Sequence, residues 1–367
     1  MNIPFFPYSQ LYEKDKDNYI NIFDDVCSRG AYILQKDLDQ FESRAKTFLG
    51  VKHAFGVANG TDALIIGLKA LGIGKGDEVI VPSHTYIASA ASIYLVGAKV
   101  VLCECGPDGM MDPNDIEHRI TSNTKAIMPV HINGRVCNMD MISKIAKKNR
   151  LLIVEDAAQA FGAKYKNQCA GTFGEFGTIS FYPAKVLGCF GDGGLIMTNN
   201  DEHAKKIFLL RDHGRDATGE VVDWGLNSRL DNLQAAILLH KLKTYKSDIK
   251  RRRSIAKMYS KGLSDISAIQ LPPSPEFDGI NFDIYQNFEL RAKSRDELRN
   301  FLNEKGIGTI IQWAGTPVHK FKKLGFRDIK LPFTEAYFKE CLMLPMNMGI
   351  NDDEIDYVIS SIRDFYG

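Results

Sequence analysis

Almost no net charge is left over in this chain: 46 Lys and Arg stand against 45 Asp and Glu, a formal charge of +1. That balance argues against the electrostatic footprint of a nucleic-acid binder or a polybasic membrane patch. Long hydrophobic runs are missing as well. The longest apolar stretch, Ile87 to Val96, is too short to span a bilayer and leads straight into Lys99. Paired cysteine motifs are absent: the seven Cys at 27, 103, 105, 137, 169, 189 and 341 show no CxxC and no Cys/His spacing that suggests zinc. The N-terminus, MNIPFFPYSQ, lacks a charged region followed by an apolar one. The expectations are reduced thiols, a cytoplasmic location, no metal, no nucleic acid and no membrane. No repeat or low-complexity segment is visible.

What is present is the composition of an ordinary globular protein, 44% hydrophobic and 25% charged, long enough for one large and one small domain. From His53 to Asn199 strand and helix signals alternate. The strand candidates are HAFGVA, EVIVP, AKVVLCE, AIMPVHI, LLIVED, GTISFY and GGLIMTN, with helices such as 61–71, 85–96 and 139–148 between them. This is the rhythm of a mainly parallel sheet covered on both faces. After Asn200 the pattern turns helical, then gives a strand at 282–292, a helix at 295–305, a strand at 308–312 and a closing helix at 352–365. The expected division is a large cofactor-binding domain over 1–245 and a small α+β domain over 246–367, with 1–30 flanking the small domain or crossing to a partner. The basic run Lys250 to Arg253 reads as a solvated helix face.

Two segments carry chemistry. In GTISFYPAKVLGCFGDGGLIMTN, 177–199, Lys185 is the only Lys between Lys166 and Lys205 and lies among apolar and small residues. Desolvation lowers a Lys pKa and frees the amine as a nucleophile, which is how Schiff-base lysines arise. In LLIVEDAAQAFGAKY, 151–165, four apolar residues end in Glu155 and Asp156, so a carboxylate sits at the carboxyl end of a buried strand. An imine-forming lysine and a carboxylate for a pyridine nitrogen are the two groups pyridoxal phosphate requires. Asn59-Gly60-Thr61-Asp62 opens a helix, either as a phosphate seat or through N-capping by Thr61 or Asp62. Tyr86 can lie flat on a ring or fill a core, and Ser180 can reach a phosphate or its own backbone. Gln159, one turn past Asp156, can reach a ring oxygen. Cys189 reads as packing, His84 as a turn residue, Asn227 as a helix-start signal and His319 as a surface or packing His.

Together these residues resemble the DegT/DnrJ/EryC1/StrS family of sugar aminotransferases, across nearly the whole chain. The resemblance is carried by NGTDAL (59–64), GDEVIVPSHTYIAS (76–89), VEDAAQAFGA (154–163), SFYPAKVLGCFGDGG (180–194), LRDHGRD (210–216), GLNSRLDNLQAAIL (225–238) and LPMN (344–347). It implies a fold type I α/β enzyme of the aspartate-aminotransferase kind. It assigns Lys185 and Asp156 as catalytic, Gly60, Thr61 and Ser180 to the cofactor phosphate, Tyr86 to ring stacking and Gln159 to the ring hydroxyl. It further implies that Asn227 reaches the phosphate of a neighbouring subunit, hence a homodimer with composite sites. Substrates would be L-glutamate and a nucleotide-linked keto sugar, dTDP- or UDP-linked, aminated at C-3 or C-4. Arg229, Trp313 and His319 are candidate substrate contacts, with Arg215 as an alternative clamp for an acidic co-substrate. The chain departs from the family at Gln286 and Asn347, where His is common. Other readings are amination of a keto-cyclitol in an antibiotic pathway and a non-catalytic cofactor-binding regulator. A regulator predicts loss of Lys185, Asp156 or Gln159.

Overall fold

The computed structural model describes residues 1–276 and 278–367. Its main feature is a seven-stranded sheet in the order His53–Val57, Gly194–Thr198, Phe176–Ser180, Leu152–Asp156, Thr124–Ile127, Glu78–Pro82, Lys99–Cys103. Gly194–Thr198 runs antiparallel to both neighbours, and every other pairing is parallel. The strands are short and apolar because helices cover both faces; every residue of Glu78–Pro82 and of Gly194–Thr198 is buried. The parallel strands end along one edge, and the residues that follow those ends form the site.

A second, three-stranded antiparallel sheet joins Ile269–Gln270, Phe288–Ala292 and Cys341–Leu344. Helices Tyr245–Leu263, Arg295–Glu304 and Asp352–Tyr366 pack on it around Tyr259, Phe288, Leu298 and Ile355. The last helix starts with a full capping box between Asn351 and Glu354. Helix Tyr245–Leu263 serves two clusters: Tyr245 and Ile249 belong to the core of the large sheet, Ile255 to Leu263 to the small one. The N-terminus joins the small sheet's cluster through Ile3, whose backbone pairs with Gly306 and Gly308.

The structure differs from expectation in four places. Helices Tyr8–Glu13, Lys16–Ser28 and Lys36–Leu49 precede the first strand, a region for which no element is expected from the pattern. The strand expected over 282–292 is broken. Asn281–Phe282 pairs with Lys164–Tyr165 beside the large sheet, Tyr285 takes a left-handed φ of 53°, and the strand resumes at Phe288. The strand expected over 308–312 reduces to isolated bridges, Ile310 with Met343 among them. The basic run is not a solvated face. Arg252 is buried, and its Nη1 donates to the carbonyls of Tyr285, Gln286 and Met346 at 3.0, 3.3 and 2.9 Å. Arg253 reaches the carbonyl of Asp283 and stacks on Phe282. The guanidinium supplies donors to a bent segment whose carbonyls have no ladder partner.

Candidate active site

Alternation along Leu152–Asp156 sends its two terminal acids to opposite sides of the sheet. Asp156 is 5% exposed. Its Oδ2 accepts from Ser89 Oγ at 2.6 Å, and its Oδ1 from the Ala158 N–H at 3.1 Å. Ser89 Oγ lies 2.7 Å from Thr85 Oγ1, so the segment after Glu78–Pro82 orients the carboxylate. Glu155 is wholly buried and accepts from the N–H groups of Gly171, Phe173 and Gly174 at 2.7, 2.6 and 2.8 Å. His131 Nε2 donates to it at 2.9 Å.

Lys185 closes a turn with Tyr182, N–H to carbonyl 2.8 Å. Among the described residues nothing hydrogen-bonds its Nζ. Burial pushes the amine down from 10.5 to about 8, and the nearby Asp156 carboxylate works against that fall. The turn is gripped from the small sheet. Gln286 Oε1 accepts the Val186 N–H and its Nε2 donates to the Ala184 carbonyl, both at 2.8 Å, so one amide brackets Lys185 on both sides.

Helix Gly60–Ala70, where the sequence suggests a phosphate seat, begins against the end of Phe176–Ser180. A Cβ on Gly60 would lie 3.0 Å from Ser180 Cβ, and one on Gly194 2.5 Å from the Asn59 carbonyl oxygen. Only glycine allows this approach. The cap is Asn59, whose Oδ1 accepts from the Asp62 N–H at 2.8 Å, rather than Thr61 or Asp62 themselves. Thr61 and Gly60 are thereby left with their first-turn amides available to an anion.

Tyr86 stands at the N-cap of helix Ile87–Leu95, 57% exposed. Gln159 Oε1 accepts from the Asn133 N–H at 2.7 Å. Asn227 is exposed. Arg229 and Arg215 both pair with Asp212. His319 is buried, with Nδ1 2.7 Å from Ser83 Oγ and Nε2 3.2 Å from Glu335, so both nitrogens are engaged within the protein. Trp313 packs on His84 and Phe338. His84 is buried, lies 2.7 Å from the Gly109 carbonyl through Nδ1, and is pushed down to about 4 by burial. Asn347 holds the Phe5 carbonyl at 3.1 Å. Sequence reasoning missed the bracket made by Gln286, the Ser89 contact and Asn133. Each depends on a partner distant in the chain, so no local spacing announces it.

A lysine amine without a partner, a strand-end carboxylate near it and a glycine-tight helix start facing Ser180 fit pyridoxal phosphate. Among the described residues no group of three or more His, Cys, Asp or Glu could hold a metal ion. The fold is that of a fold type I α/β enzyme, with Lys185, Asp156 and the start of helix Gly60–Ala70 at the ends of its parallel strands. The model of the DegT/DnrJ/EryC1/StrS aminotransferase family matches residues 13–363, and the chain belongs to that family. The chain is similar to the "Pleiotropic regulatory protein" of Geobacillus stearothermophilus, 38% identical over all of this chain and 99% of that one. It is similar to the dTDP-3-amino-3,4,6-trideoxy-alpha-D-glucose transaminase of Streptomyces venezuelae, 37% identical over 99% of this chain and 96% of that one. The crystal structure of S. venezuelae DesV in complex with a ketimine intermediate superposes with a TM-score of 0.94 at 37% identity, covering 100% of this chain and 98% of that one.

Proposed function

We propose that this aminotransferase moves an amino group from L-glutamate to a nucleotide-linked keto sugar, a dTDP- or UDP-linked 3-keto or 4-keto-6-deoxyhexose, in amino-sugar biosynthesis. The observation that carries the reading is Lys185: a half-buried residue whose amine desolvation lowers to about 8, with no hydrogen-bond partner among the described residues and with Asp156 near it. Bound pyridoxal phosphate supplies a ring that stores the electron pair released when the donor's Cα–H bond breaks. Asp156, held by Ser89, would pair with the ring nitrogen and keep its proton there. Gly60, Thr61 and Ser180 would hold the phosphate, Tyr86 would stack on the ring, and Gln159 would donate to the ring oxygen. Lys185 Nζ is neutral in a large share of molecules near pH 8, so it takes the proton from the donor Cα and returns it at the acceptor carbon. Arg229, Arg215 and Trp313 border the substrate side, whereas His319, buried with both nitrogens engaged, is withdrawn from substrate contact.

The similarity to a dTDP-3-amino sugar transaminase favours a dTDP sugar aminated at C-3. The similarity to a protein named a regulator does not favour a non-catalytic role here, since Lys185, Asp156 and Gln159 are all in place.

The working form is a homodimer. Tyr86, Tyr94, Leu95, Val221, Val222 and Trp224 are exposed, Trp224 by 90%, and Lys69 Nζ, on the helix packed beside Ile87–Leu95, bonds the Trp224 carbonyl. Exposed large apolar side chains in such number mark a protein interface. A second copy covering it brings Asn227 to its neighbour's phosphate. The seven cysteines are free, in keeping with a reducing cytoplasm, and no helix among the described residues is long and apolar enough to cross a membrane.

The test is incubation of the cofactor-loaded protein with glutamate and a panel of dTDP- and UDP-linked 3-keto and 4-keto hexoses, read by mass spectrometry. One sugar gains an amine, and Lys185→Ala abolishes both the gain and the absorbance near 400 nm. Turnover by Lys185→Ala above a few per cent of the parent overturns the assignment.

A further inference from the structure

Asn133 lies in a tight turn, Ile132–Gly134, at a left-handed φ of 57° that Asn tolerates better than most residues. The turn is pressed onto the small sheet's approach: a Cβ on Gly134 would meet Ile284 Cγ1 at 2.7 Å and the Gln286 nitrogen at 2.8 Å. The Asn133 main-chain N–H takes the Gln159 amide oxygen. That bond fixes which end of the Gln159 amide faces Asn133 and leaves its Nε2 donors to point elsewhere. The Asn133 side chain faces the other way and uses both ends. Its Nδ2 donates to Glu289 Oε2 at 2.9 Å; its Oδ1 accepts from Asn287 Nδ2 at 2.8 Å and from Gln312 Nε2. Glu289 Oε2 also accepts from the Tyr337 hydroxyl at 3.2 Å. All of these partners come from the small sheet and its connections.

We propose that Asn133 is a positioning residue that turns the Gln159 amide N–H toward the ring oxygen of pyridoxal phosphate and makes that contact depend on how the small sheet is seated. This rests on the cofactor seat described under the proposed function. A donor at the ring oxygen draws it away from the proton it shares with the lysine-linked nitrogen. A weakened donor therefore leaves that proton held more tightly and raises the pH at which it leaves.

The experiment is a pH titration of absorbance near 400 nm on the holoprotein, with circular dichroism to verify folding. The variants are Asn133→Gly, Glu289→Leu and Gln159→Ala. Glycine keeps the main-chain N–H and the left-handed turn but deletes all three side-chain bonds. The midpoint rises by about 0.5 to 1 pH unit in Asn133→Gly, the equivalent of one hydrogen bond. It rises in the same direction, by less, in Glu289→Leu, and by at least as much as Asn133→Gly in Gln159→Ala. Parent-like midpoints in both Asn133→Gly and Glu289→Leu, with Gln159→Ala raised, overturn the proposal. A parent-like midpoint in Gln159→Ala overturns the cofactor seat itself. If Asn133→Gly does not fold, Asn287→Ala and Gln312→Ala each delete one donor to Asn133 Oδ1 and are judged by the same criterion.

Discussion

Glu155 and Glu289 are both buried acids, one at the end of a large-sheet strand and one on the face of the small sheet. Glu155 receives four donors, three backbone N–H groups and His131. Glu289 receives two, from Asn133 and Tyr337, and its Oε1 has no partner among the described residues. Burial pushes Glu289 up from 4.5 to about 7, with Asn133, Tyr337 and Cys341 holding it down only in part. Its neighbour His84, 3.8 Å away, gives no counter-charge because burial keeps it neutral. A fully bonded acid locks the loop at 171–174 against the sheet and so fixes the strand end that bears Asp156. An under-bonded acid at the junction of the two sheets leaves that junction adjustable.

Three substitutions break or sharpen the contrast. Glu155→Leu has the largest effect, because it leaves four donors without an acceptor, two of them fully buried, at about 1–3 kcal/mol for each buried one. Such a sum reaches the lower end of a whole domain's stability of roughly 5–15 kcal/mol. Little soluble, folded protein is expected; a melting temperature within a few degrees of the parent would remove Glu155 from its structural role. Gln286→Leu comes next. It releases the backbone on both sides of Lys185 without touching the amine. The expected loss is about 10- to 100-fold in kcat, the usual consequence of a misplaced catalytic group, with KM little changed. A raised KM at unchanged kcat would instead place Gln286 in contact with substrate.

Glu289→Gln has the smallest effect, and one that depends on pH. Between 4.5 and about 7 the folded parent keeps a proton that its unfolded chain has released. The parent therefore loses stability as pH rises through that window. The amide has no such slope. Relative to the parent, the variant gains nothing near pH 4 and up to roughly 3 kcal/mol at pH 8. Urea unfolding at several pH values checks this, and stability curves that stay parallel across the window would refute it.

Much of the large sheet is legible in the chain. Six of its seven strands coincide with the apolar runs read from the sequence, because a strand buried on both faces must be continuously apolar; the run at 126–132 shares only Ala126 and Ile127 with its strand, Thr124–Ile127. Lys185 and Asp156 stand out for the same reason: a charged residue inside an apolar run is costly and therefore conspicuous. The helices at Lys16–Ser28 and Lys36–Leu49 are not legible, since each buries one narrow face in a polar sequence. The bend at Tyr285 hides inside a run with good strand residues. It forms because Arg252 collects the carbonyls the bend sets free. Arg252 itself reads as one more surface charge in a basic cluster, which burial against those carbonyls overturns.

The sequence by itself determined the parallel sheet, the lysine and the acid, because each is written in local hydrophobic pattern and in the cost of a charge placed within it. Only the tertiary structure decided how these groups are aimed. Gln286 brackets Lys185 across about a hundred residues of chain, Ser89 bonds Asp156, and Asn133 ties Gln159 to the small sheet. Hydrogen bonds act over about 3 Å in space whatever the separation in sequence, so their partners are named only once the chain has folded.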